Sequence, residues 1–117
     1  MSKIIIIGAG AMGSAFALPC LDNNHDINIV GTHLENDFID HLKKNDNLHP
    51  GLNTKIPKEI KIFKFKKFDE LLKSNVDLIV LGISSKGIEW VADQLSRLFK
   101  DNKIPKLLML TKGLSIH

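Results

Sequence analysis

Residues 4–13 of this chain read Ile-Ile-Ile-Ile-Gly-Ala-Gly-Ala-Met-Gly, and that order leaves few folds open. Four consecutive β-branched residues predict a strand buried on both faces, as in the interior of a parallel sheet. The glycines that follow match G-x-G-x-x-G, and residues 11–23 are small and apolar enough for a helix lying close against that sheet. The pattern alone is weak, but between a buried strand and a helix each glycine has a mechanical reason. Gly8 permits the tight turn, Gly10 omits the Cβ that would block a pyrophosphate, and Gly13 lets helix and strand approach. The N–H groups at the helix start, those of Ala11 and Met12 among them, then face a dinucleotide's phosphates with the positive end of the helix dipole.

The rest of the chain repeats the alternation. Apolar runs at 27–30, 60–63, 76–83 and 107–110 predict strands, and residues 35–44, 68–73 and those after Ser84 or Ser85 predict helices, either serine being suited to a cap. Ile88, Val91, Ala92, Leu95 and Leu98 keep 3.6-residue spacing. Pro19 falls inside the first helix and is expected to bend or shorten it, because it lacks an N–H and crowds the preceding turn. Residues 45–58, rich in Asn, Pro and Gly, read as a loop. The fold class that follows is α/β: a Rossmann-type doubly wound parallel sheet with helices on both faces, truncated after the fifth strand. Residues 1–117 form one domain, and the absence of a closing helix after Thr111–His117 points to a fragment of a longer protein.

Composition narrows the functions. With 44% hydrophobic and 25% charged residues the chain is an ordinary globular one, and its single cysteine, Cys20, forms no internal bridge. The net charge of +3 is spread too thinly for a nucleic-acid surface, since the densest run, Lys61 to Lys67, alternates with Ile and Phe as a strand with one wet face does. Neither a signal peptide nor a membrane span is present, so a cytoplasmic protein is expected. The five histidines, His25, His33, His41, His49 and His117, lack metal-ligand spacing, and no metal is expected. Ser84 and Ser85 lack the setting of a hydrolase nucleophile.

Two further positions bear on chemistry. The fingerprint calls for an acid some twenty residues on, to bind the adenosine ribose, but the second strand ends Val30-Gly31-Thr32-His33 without one. Glu35 lies beyond and reads as a first-turn helix residue. Without a carboxylate at the tip, nothing repels a 2′-phosphate, and Thr32 and His33 both offer donors. NADP is therefore expected to be accepted at least as well as NAD. At the end of the fifth strand, Lys112 is placed to reach an anionic or carbonyl oxygen, although a solvated strand-end lysine fits the same residues.

Several motifs, in one order and spacing, resemble a known family. They are Gly8-Ala-Gly-Ala-Met-Gly-Ser-Ala-Phe-Ala17, Val30-Gly-Thr-His33, Asn45-x-x-Leu-His-Pro50-Gly-Leu, Ile56-Pro57-x-x-Ile60, Asp77-Leu-Ile-Val-Leu81 with Ser84-Ser85, and Thr111-Lys112-Gly113-Leu114. Together they are similar to NAD(P)-dependent glycerol-3-phosphate dehydrogenase. The resemblance implies an N-terminal NAD(P)-binding domain, here residues 1–117, and a helical C-terminal substrate domain absent from this chain. It implies hydride transfer between NAD(P)H and dihydroxyacetone phosphate or sn-glycerol 3-phosphate, supplying phospholipid synthesis. Carried over, Gly8, Gly10, Ala11, Met12 and Gly13 are cofactor-binding, and His33 lies near the adenosine ribose and its 2′-phosphate. Lys112 contacts cofactor and the substrate's phosphate or carbonyl as the catalytic residue. Its partner is a small phosphorylated substrate, with room for a homodimer through the absent domain, and the 117 residues alone are expected to bind nucleotide without turnover. Alternatives are a different two-domain reductase, such as a ketopantoate reductase or an imine reductase, and a non-catalytic NAD(P)-sensing module.

Overall fold

The computed structural model describes residues 2–100 and 104–110. Its main sheet has five parallel strands, β1 (Lys3–Ile7), β2 (Asp26–Val30), β5 (Lys61–Phe63), β6 (Leu78–Leu81) and β7 (Lys106–Met109). They lie in the order β5-β2-β1-β6-β7. β1 is central, pairing Ile4 with Ile27 of β2 on one side and with Leu78 of β6 on the other. Because successive side chains alternate faces, Ile4 and Ile6 enter one core with Ala17, Ile27 and Ile29, while Ile5 and Ile7 enter another with Phe68, Ile79 and Val91. All four isoleucines are at most 3% exposed. At roughly 1.5–3 kcal/mol per fully buried side chain, this run is a main source of stability. The expected doubly wound architecture is therefore the observed one.

Helices α1 (Ala11–Asp22), α2 (Asn36–Lys44), α3 (Phe68–Leu72) and α4 (Ile88–Leu98) connect the strands. Three local expectations need correction. Of the bend or shortening expected at Pro19, the shortening does not occur, since α1 runs on to Asp22. Pro19 and Ala15, whose carbonyl loses its partner, both lie on the exposed face, where water replaces the bond. Residues 45–58 are not merely a loop. They hold an antiparallel hairpin, β3 (Leu48–His49) with β4 (Thr54–Lys55), whose turns place Asp46, Asn47 and Asn53 at positive φ, conformations that Asn and Asp tolerate best. Neither Ser84 nor Ser85 caps a helix through its side chain; a 3₁₀ turn at Ser85–Gly87 leads into α4, and the Ser84 carbonyl accepts from the Gly87 N–H at 2.9 Å. Among the described residues no helix is long and apolar enough to cross a membrane.

Candidate functional site

The strand order reverses direction between β1 and β6, and the carboxyl ends of β1, β2 and β6 open there into a cleft of about 690 Å³. Ligands of open α/β sheets bind at such switch points, and the volume falls in the range of small-molecule sites. The glycine loop forms its floor. Gly8 has φ +112°, and a Cβ there would collide with the Gly82 carbonyl. A Cβ on Gly13 would lie 2.9 Å from the Gly8 carbonyl and 3.0 Å from Ile6. Gly8, Gly13 and Gly82 thus serve close packing of β1, α1 and β6.

Gly10 differs. A Cβ built on it meets nothing within 4 Å, and the residue lines the cleft. The Ser14 N–H donates to the Gly10 carbonyl at 3.0 Å, which starts α1, whereas the N–H groups of Gly10, Ala11 and Met12 have no carbonyl partner among the described residues. Open space beside unpaired N–H groups at a helix N-terminus is the cradle an anionic pyrophosphate would fill. Ala11 and Met12 stand at the helix start beneath the cleft and are not among its walls.

The β2 side carries Thr32, His33, Leu34 and Glu35. Here the strand tip does present a carboxylate, against expectation. Glu35, expected in the first turn of the helix, instead stands at the N-cap just before α2, and its side chain turns back, accepting from the Thr32 N–H at 2.8 Å and from the Ala9 N–H at 3.2 Å. The Thr32-x-x-Glu35 spacing is that of a capping box, the one sequence signal that would have announced it. Thr32 Oγ1 accepts from the Leu34 N–H at 3.3 Å, which leaves the hydroxyl proton available.

Opposite stand Ile83, Ser84, Lys86 and Trp90. The His33 ring lies against the Trp90 indole with centroids 4.6 Å apart and planes tilted by 36°, and Phe65 backs both. Trp90 therefore belongs to the cleft wall as well as to the apolar packing, and Lys86 adds a cation that motif reading had not singled out. The pairing of His33 with Trp90 joins residues far apart in sequence. Lys112, the expected catalytic residue, and the Thr111–Gly113 segment around it lie outside the described residues. No group of three or more metal-ligating side chains occurs among the described residues. Cys20, half-buried in α1, has its thiol pushed up by burial, away from the thiolate a nucleophile needs.

Comparison with known proteins places this geometry in a lineage. The chain is 31% identical over 111 residues to an NADP(+)-dependent glycerol-3-phosphate dehydrogenase of Archaeoglobus fulgidus, covering 95% of the chain and 31% of that protein. It is 32% identical over 115 residues to a glycerol-3-phosphate dehydrogenase [NAD(P)+] of Bacillus pumilus, covering 97% of the chain and again 31% of the relative. The chain thus spans about a third of the length of these relatives. Its fold matches a glycerol-3-phosphate dehydrogenase from Coxiella burnetii with a TM-score of 0.76 and 23% identity, over 96% of the chain and 33% of that structure. A family model described as NAD-dependent glycerol-3-phosphate dehydrogenase N-terminus matches residues 3–117. With its glycine loop, switch-point cleft and β2 tip all in place, the chain belongs to the NAD-dependent glycerol-3-phosphate dehydrogenase family.

Proposed function

We propose that this chain is the cofactor-binding part of an NAD(P)-dependent glycerol-3-phosphate dehydrogenase, acting on dihydroxyacetone phosphate and sn-glycerol 3-phosphate. The observation that carries the reading is the open cradle at Gly10, with the N–H groups of Gly10, Ala11 and Met12 unpaired beside it. These groups would hold the pyrophosphate, and Thr32, His33 and Glu35 would hold the adenosine end, with Trp90 and Ile83 as apolar walls. Bound NAD(P)H supplies the hydride for the substrate's carbonyl carbon. The protein's part is to bind, orient and exclude water. Lys112 is read as the cation that holds the substrate's phosphate or polarises its ketone.

NADP is accepted at least as well as NAD in this reading. The Glu35 carboxylate keeps its charge while accepting from two backbone N–H groups, so the reading rests on the donors that Thr32 and His33 offer against it. In this reading a substrate domain lies in the part of the longer relatives that this chain does not cover, and glycerol 3-phosphate is made in the cytoplasm for phospholipid synthesis.

Trp90 is the only tryptophan in the chain and lines the cleft, so it reports on occupancy directly. Titration with NADPH and NADH is expected to quench its emission and to sensitise nicotinamide fluorescence, with NADPH binding at least as tightly. Unchanged emission and no calorimetric heat with either nucleotide would overturn the binding reading, and a strong preference for NADH would overturn the NADP assignment. Oxidation of NADPH that depends on dihydroxyacetone phosphate, in protein carrying this chain together with a substrate domain, tests the activity.

A further inference from the structure

One buried titratable side chain touches the glycine loop and has no part in the chemistry above. His49, on β3, is 2% exposed, and both of its ring nitrogens are engaged. Nδ1 lies 3.1 Å from the Gly51 backbone nitrogen, and Nε2 lies 2.9 Å from the Ala9 carbonyl oxygen. A backbone N–H only donates and a carbonyl only accepts, so Nδ1 is the bare nitrogen and Nε2 carries the proton, donated to Ala9. Ser14 Oγ donates to the same oxygen at 3.2 Å. On the loop's other flank, Glu35 takes the Ala9 N–H.

The Ala9 carbonyl and the Gly10 N–H belong to one planar trans peptide and point in opposite directions. Two donors hold that oxygen on the hairpin's side and so direct the Gly10 N–H away from the hairpin; Gly10 lines the cleft, and its N–H has no partner among the described residues. The hairpin is seated to do this. A Cβ on Gly51 would lie 3.2 Å from Ala11 Cβ, so the turn packs directly against the start of α1. Phe38 braces the imidazole edge-on, with centroids 5.3 Å apart.

We propose that His49 is a positioning residue. Through the Ala9–Gly10 peptide it presets the Gly10 N–H as an anion donor, which makes the β3–β4 hairpin part of the dinucleotide-binding machinery. This rests on the nucleotide-binding reading given above. A donor fixed in advance needs no reorganisation when the anion arrives, and that is where its contribution to affinity lies.

The test compares ADP, which carries a pyrophosphate, with adenosine, which does not. His49→Leu is expected to weaken ADP and NADPH binding about tenfold, the equivalent of one lost hydrogen bond, and to leave adenosine binding unchanged. His49→Gln, whose amide nitrogen reaches the Nε2 position, is expected to restore ADP binding. His49→Asn, which reproduces only Nδ1, is not. Equal loss for ADP and adenosine would mark His49 as merely structural, and equal ADP binding by Leu and wild type would remove the proposal while leaving the nucleotide reading intact. A wild-type chain that binds neither NADPH nor NADH removes both. Should the Leu variant fail to fold, the Gln and Asn ranking decides, and reversal of that order overturns the proposal. In the wild type, the Gly10 amide resonance is expected to move with ADP and not with adenosine; a resonance that ADP leaves unmoved overturns it as well.

Discussion

Gly10 and Gly13 lie one helical turn apart and are expected to answer substitution in opposite ways. Gly10→Val meets open space, so its stability should stay within about 0.5 kcal/mol of wild type while nucleotide affinity collapses. Gly13→Ala forces a Cβ to 2.9 Å from the Gly8 carbonyl and should cost about 1–3 kcal/mol. Urea titration beside NADPH titration separates the two outcomes, and a Gly10→Val variant that still binds would contradict the cradle. For Lys112, replacement by Ala in enzyme that includes the substrate domain is expected to lower kcat/KM by the equivalent of about 2–4 kcal/mol, and an unchanged rate would refute its role. The turn at Gly8 and the close packing at Gly13 were legible from residue order alone, since they depend on a strand, a turn and a helix consecutive in sequence. Glu35 and His49 were not, because each acts on Ala9 from a distant segment, 26 and 40 residues away. The Thr32-x-x-Glu35 spacing signals the carboxylate's turn back to its own strand tip but not its reach to Ala9, and an imidazole whose partners are backbone atoms leaves no spacing to read.

At the scale of single elements, the strands and most helices followed from hydrophobic period, and the departures have local physical causes. Pro19 is tolerated because its face of α1 is wet, so Pro19→Ala should lengthen no contact yet stabilise the chain by about 1–3 kcal/mol through the restored backbone bond. A lower urea midpoint would show that the proline relieves a strain not visible in its contacts. The hairpin leaves no mark in the hydrophobic pattern because strands of two residues carry no periodicity, and its shape comes from Asn and Asp at positive φ. α3 and α4 are joined by Asp69 and Arg97, paired at 2.9 and 3.1 Å. The Arg97 guanidinium holds the Asp69 carboxyl below its ordinary range. A carboxyl depressed by folding contributes stability above its unfolded value, near pH 4, and loses it as pH falls through the folded value. Both side chains are about half exposed, so the effect is small. Asp69→Asn is expected to lower Tm slightly at pH 7 and to match wild type at pH 2, and a difference that persists in acid would exclude the ion pair as its source.

Across the whole of the described residues, the two outer strands of the sheet differ. β5 at one edge carries Lys61, paired with Asp26 at 3.6 Å, whereas β7 at the other leaves Leu107, Leu108 and Met109 between 38% and 50% exposed. An apolar edge strand invites pairing with another chain. In the 117-residue chain taken alone, Leu107→Lys is expected to give less light scattering at high concentration than wild type without altering NADPH affinity; equal scattering by the two would exclude β7 as an associating surface.

The strand order also has a consequence for how the chain is made. β1 is synthesised before the other four described strands and lies in the middle of them, and its second neighbour, β6, ends only at Leu81. At roughly 5–20 residues per second, about 4–15 s separate the synthesis of Ile7 from that of Leu81. During that interval the isoleucine run can pair on one edge only, with β2, and one of its sides stays open to any other apolar segment nearby. The residues that do most to secure the folded sheet are therefore those that a nascent chain must keep shielded longest, which makes the ribosome-bound intermediate, rather than the mature domain, the state in which a holdase would matter.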